Sequence, residues 1–162
     1  MRKYWSVVYV LALAILLVGC EKSKVLAKLF PSKIDGYKLE KVISGKKAME
    51  MVNKLHGKKI NAKAAWVAYY VSEKNPKEKV TVWVSEAPSA KEATNQVEVM
   101  MAKIEKKPMP FYHVMKMGDV YVFSGLGQRH AVFTRDKYVF WISGTDGSLR
   151  YFVHYYFRVK EK

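Results

Sequence analysis

The chain has 162 residues, 50% of them apolar, with 29 basic against 14 acidic side chains and a formal charge of +15. That length gives one domain with at most a short tail, and the apolar content excludes wholesale disorder. The single cysteine, Cys20, excludes internal disulfides, thiolate metal sites and a cysteine nucleophile from everything downstream of it. The basic excess attracts anionic partners such as phosphates, lipid headgroups or acidic polymers. Lysine outnumbers arginine 24 to 5, and lysine is a hydrated point charge, so the excess reads as a solvated coat rather than a recognition cluster.

The first element is an export signal. Arg2 and Lys3 form a cationic start, and Val7 to Val18 form an apolar run without a charge. From Tyr4 to Gly19 the segment falls short of the ~20 residues that usually span a bilayer. It ends in Leu17-Val18-Gly19-Cys20, and Glu21-Lys22 follow at once. Residues 1–20 thereby resemble the lipobox signal of bacterial prolipoproteins. In that class a diacylglyceryl group joins the cysteine thiol, cleavage falls before the cysteine, and the new N-terminal amine is usually acylated. The resemblance implies a signal peptide over 1–19, cleavage between Gly19 and Cys20, and lipid attachment at Cys20. It further implies a place in the cell envelope, anchored to a membrane and facing out of the cytoplasm, the choice of inner or outer membrane staying open. Two or more acyl chains make a stable anchor where one does not. The alternative is a single-pass protein whose N-terminal helix is never cleaved.

Residues 20–33 form a tether. Val25, Leu26, Leu29 and Phe30 share one helical face and Pro31 ends it. This segment either lies on the membrane surface or docks as a first short helix; both remain open.

A single domain is expected over 34–162. Gly36–Ser44 alternates as a strand opened by the Asp35-Gly36 turn. Lys46–His56 places Ala48, Met49, Val52 and Leu55 on one helical face, with Gly57 as the stop. Ala64–Ser72 reads as a buried strand, Glu73–Lys79 as a turn, and Val80, Val82 and Val84 as the partner strand. Ser89 and Glu92 make a capping box for a helix reaching Lys107, where Pro108 and Pro110 end it. Phe111–Met117, Val120–Ser124, His130–Thr134 and Tyr138–Ser143 read as hairpin strands joined by short loops. Leu149–Val159 fits a strand by alternation and aromatic content, and a helix by a Leu149, Phe152, Val153, Tyr156 and Val159 face with a cap at Asp146 or Ser148; both readings stand. The fold class is α+β, a mainly antiparallel sheet with two helices packed on one face.

No catalytic set is evident. Asp35, Asp119, Asp136 and Asp146 all sit in turn sequences, where aspartate caps local amides. His56, His113, His130 and His154 show no metal-ligand spacing, so no metal and no cofactor are expected. Gly125-Leu126-Gly127 followed by Gln128, Arg129 and His130 is the most distinctive string. It is not a phosphate loop, because a strand rather than a helix follows; as a ligand edge, Gln128, Arg129 and His130 are the candidates. Aromatics such as Trp66, Tyr69, Tyr70 and the run 152–157 serve as core and cross-strand pairs. Basic residues interleaved with aromatics fit single-stranded nucleic acid, but an exported domain meets an envelope, so no nucleic-acid partner is expected. The expected function is a non-enzymatic binding or interaction module, lipid-anchored, with a protein or anionic envelope component as partner. An envelope hydrolase and a structural spacer are the rivals.

Overall fold

The structure, a computed structural model, describes residues 28–106 and 110–158. The leader, Cys20 with most of the tether, the Pro108 stop and Val159 lie outside the described residues. Of the tether, Lys28 and Leu29 are helical and Phe30 bends ahead of Pro31. The domain begins at Lys33.

Its strands are β1 (Lys33–Ile34), β2 (Tyr37–Ser44), β3 (Ala64–Ser72), β4 (Lys79–Glu86), β5 (Phe111–Met117), β6 (Val120–Gly125), β7 (Gln128–Arg135) and β8 (Tyr138–Gly144). The helices are α1 (Gly45–His56), α2 (Ala90–Lys106) and α3 (Asp146–Arg158). All eight strands form one antiparallel sheet in the order β1-β2-β3-β4-β8-β7-β6-β5. Two four-stranded meanders are thus fused where β4 meets β8. Two-residue turns shape the hairpins: Asp35 and Gly36 both take positive φ (42° and 84°), as do Leu126 and Gly127 (51° and 72°), the signature of a type I′ turn.

Strand alternation sorts the side chains into two faces. Ile43, Val67, Trp83, Trp141, Val132 and Tyr121 are paired in sequence across β2-β3-β4-β8-β7-β6 and form one row. Both α1 and α2 pack on this face. Ala48 and Val52 of α1 bury against Ala65 and Val67, and Val97, Met101 and Ile104 of α2 bury against Phe123, Val132 and Trp141. Gly57 (φ 65°) ends α1 in the left-handed conformation, its N–H and the next returning to Lys54 and Asn53 carbonyls. Ser89 Oγ accepts the Glu92 N–H at 3.2 Å to start α2.

Two expectations need correction. A third helix, α3, covers the opposite face, so the described residues of the domain form three helices, of which α1 and α2 share a side. The segment read as strand or helix is helix, and Asp146 is its first residue rather than part of a turn. A reciprocal cap decides it: Thr145 N–H donates to Ser148 Oγ at 2.8 Å, and Ser148 N–H to Thr145 Oγ1 at 3.2 Å. Gly144 lets strand pass directly into helix, because a Cβ there would stand 2.5 Å from Ser148 Oγ. Fully buried Phe152 meets Tyr37 and Tyr70 edge-on at 5.4 and 5.0 Å, while Tyr156 packs on Phe140 and Phe157 on Phe133.

This packing makes α3 a structural lid on the sheet. Phe152→Ala is expected to lose about 3–5 kcal/mol in urea denaturation, the range for emptying a buried phenylalanine site. Tyr151→Ala, exposed on the neighbouring position, should change stability by less than about 0.5 kcal/mol.

Candidate functional site

Alternation along β7 parts Arg129 from Gln128 and His130, and burial parts the latter two. Gln128 is exposed at the hairpin end, Arg129 is half-buried, and His130, on the face opposite Arg129, is only 3% exposed. Gln128 and Arg129 do border an open depression of about 610 Å³, shared with Lys77, Lys79 and Thr145. Two of its charged groups, Arg129 and Glu78, are already engaged. Arg129 Nε donates to Asp146 Oδ1 at 2.8 Å and Nη1 to Ser124 Oγ at 2.7 Å. Glu78 accepts from Tyr37 Oη at 2.6 Å and Thr145 Oγ1 at 2.8 Å. Those bonds, Tyr37's first, hold the Glu78 carboxyl below its ordinary range. Burial, with Glu78 beside it, pushes the Tyr37 phenol up to about 12. The depression is the seam that fastens the start of α3 to the sheet.

His130 belongs to the core. Phe123 stacks on it at 5.2 Å, and Phe111 and Trp141 meet it edge-on at 5.3 and 5.7 Å. Trp141 Nε1 donates to Nδ1 at 3.1 Å. An indole N–H cannot accept, so Nδ1 is the bare nitrogen and Ser143 Oγ, 2.9 Å away, donates to it as well. Nε2 carries the hydrogen and donates to the Gly125 carbonyl at 2.9 Å. Burial holds the imidazole pKa below 6.5; the Gly125 carbonyl opposes this and the charge of Arg129 adds to it. Both nitrogens are consumed, which leaves none for a ligand or for proton transfer.

The other histidines lie apart. His56 Nδ1 bonds to the Val52 carbonyl at 2.8 Å, closing its own helix turn. His113 is exposed at φ 52°, where β5 bulges between Tyr112 and Met115, and His154 is exposed on α3. Among the described residues no group of three or more His, Cys, Asp or Glu stands ready to hold a metal ion.

A second concave feature, with a more apolar lining, lies elsewhere. On the α1/α2 face, α1 sits over β2 and β3 and α2 over β5, β7 and β8, so a cleft opens between them above the centre of the sheet. It measures about 490 Å³, within the usual range of ligand sites. Ile60, Met100, Ile104, Phe111 and Trp141 supply apolar walls and floor. Leu55 and Val99, 40% and 44% exposed, form its lips. Lys58, Lys59 and Lys103 supply a cationic rim against the single carboxylate Glu92. A narrow slot of about 20 Å³ adjoins it between Trp83, Met100, Val139 and Trp141. His56 and Glu92 both line the cleft, yet each hydrogen-bonds within its own helix, to Val52 and Gln96 respectively. The residues lining it include no serine, threonine or cysteine to act as nucleophile.

Sequence reading missed this cleft because it depends on β4 pairing with β8, strands separated by α2 and three others. The available signals were Leu55 and Val99, apolar positions in amphipathic helices that the sheet leaves uncovered. Comparison with protein-family models, curated proteins and solved structures returned no match.

The lowered His130 pKa fixes a sign. The unfolded state takes up the proton first, near pH 6.5, so the stability that neutral His130 contributes is complete above that value. It declines as pH falls below that point toward the lower folded-state pKa. His130→Gln should cost about 1–3 kcal/mol at pH 7.5 by leaving buried donors unmatched. Guanidinium titrations at pH 7.5, 6.0 and 5.0 should show the gap to wild type shrinking with acidity; a constant gap would mean that His130 is not buried in its neutral form.

Proposed function

We propose that the chain is a lipid-anchored protein of the cell envelope whose α+β domain is a non-enzymatic binding module, its recognition surface the cleft between α1 and α2. The cleft carries this reading: it joins apolar walls, with Leu55 and Val99 exposed at its lips, to a rim of three lysines, the combination that marks binding rather than core packing. The His130 geometry supports it from the other side, since the most distinctive polar string of the sequence serves the core instead of an acid–base site. The lipobox-like Leu17-Val18-Gly19-Cys20 supports the anchor. Lipid at Cys20 holds the domain at a membrane surface, outside the cytoplasm, where a protein or an anionic envelope component is the available company.

Expression of Cys20→Ser beside wild type tests the anchor. The wild-type chain should fractionate with membranes and show an intact mass lacking residues 1–19 and carrying acyl groups, whereas the variant should lack acyl mass. Unchanged retention and unchanged mass would overturn the lipoprotein reading. For the module, cross-linking in membranes should trap a protein or an anionic envelope component at the cleft lysines Lys58, Lys59 or Lys103, and a chain that captures neither across growth conditions would overturn it.

A further inference from the structure

We propose that the cleft between α1 and α2 binds a single-chain anionic amphiphile, a long-chain fatty acid, with its carboxylate among Lys58, Lys59 and Lys103 and its tail along Met100, Ile104 and Trp141. The inference rests on the reading of this cleft as a binding surface and names what fills it.

Charge complementarity gives the head. Three lysines and one glutamate border the opening, so an anion is attracted and a cation repelled. Lysine is a mobile point charge and suits a carboxylate without demanding one fixed geometry. The floor gives the tail. It offers aliphatic and aromatic carbon, and every buried methylene adds to affinity without asking for a hydrogen bond. An extended peptide would bring an N–H and a C=O at each residue; Asn61, Asn95 and Gln96 could meet a few of these, but the apolar stretch of Ile60, Met100, Ile104 and Phe111 offers no side-chain partner for the rest. The narrow end agrees. Between Trp83 and Trp141 the slot of about 20 Å³ has room for one small group, a methyl rather than a bulky side chain. Leu55 and Val99 at the lips are exposed as the chain stands, and an acyl chain lying between them would take both out of water.

A diazirine-bearing palmitic acid tests this on the full chain in phosphatidylcholine vesicles, which carry no net charge of their own. Irradiation and peptide mapping should place adducts on the segments holding Ile60 and Met100, and unlabelled palmitate should suppress them. The methyl ester of the same probe, equally apolar but uncharged, should label those segments about tenfold less. Lys58→Glu, Lys59→Glu and Lys103→Glu together should reduce labelling by the acid to a similar degree while far-UV circular dichroism stays unchanged, since surface positions alter stability little. Equal labelling by acid and ester, or adducts confined to the N-terminal anchor segment ahead of Lys33, would overturn the fatty-acid assignment. A partner protein cross-linked at the same lysines without any lipid adduct would overturn the fatty acid and leave the cleft a binding surface. Capture of neither would overturn both.

Discussion

Everything in this domain follows from β4 lying beside β8. Each belongs to a different meander, and their pairing converts two hairpin ribbons into one sheet of eight strands. The register sets Trp83 opposite Trp141 and Val82 opposite Ile142, and a slip of one residue would exchange the two faces of a whole meander. Both faces are covered, one by α1 and α2 and the other by α3, so such a slip would send every core side chain of that half to the wrong helix. Register is strongly specified for that reason. The tryptophan pair stands at the middle of the α1/α2 face, Trp83 packed against the clusters of both helices and Trp141 within that of α2.

His130 shows how polar groups are fitted into that sheet without weakening it. An imidazole enclosed by Phe111, Phe123 and Trp141 would be costly if unmatched. Its three contacts, with Trp141, Ser143 and the Gly125 carbonyl, supply a donor or acceptor for each nitrogen. The Trp141 N–H is satisfied in the same arrangement, which lets a tryptophan stand almost fully buried at the edge of the cleft floor. A cleft built on a floor of this kind is rigid, because its tryptophan is held at the ring nitrogen as well as by packing.

Local pattern revealed most of the elements and little of the site. β3 and β4 were visible in alternating Val, Trp and aromatic residues, and α2 in Ser89 and Glu92 followed by helical spacing. Leu149 to Val159 was ambiguous because the same residues satisfy both periods; the deciding features were Gly144 and the Thr145–Ser148 cap, whose serine stands where a capping box usually has glutamate or glutamine. Gln128, Arg129 and His130 looked like a cluster because they adjoin in sequence, yet in a strand Arg129 points away from both neighbours, and His130 is buried where Gln128 is exposed. Asp146 looked like a turn residue because glycine follows it, yet it opens α3 in an ion pair with Arg129. The cleft could not be read locally, since its lysines and apolar walls come from α1, the loop beyond it, α2 and β8, which only the sheet order brings together.

The anchor and the cleft, both proposals, bear on each other through concentration. A domain held by lipid at Cys20 on a tether of a dozen or so residues would sample a shell only tens of ångströms deep. Amphiphiles that partition into that membrane reach far higher local concentrations than in the surrounding water, so occupancy of the cleft would need only modest intrinsic affinity. An open, shallow cleft with a mobile lysine rim suits that regime better than an enclosed cavity would. Such a cleft would admit and release a chain without moving a helix, and its rim would attract acids while lipids without net charge on the same surface would gain less from it. A tight, enclosed site would be required of a protein that carries such a molecule through water; one that stays on the membrane gains more from fast exchange.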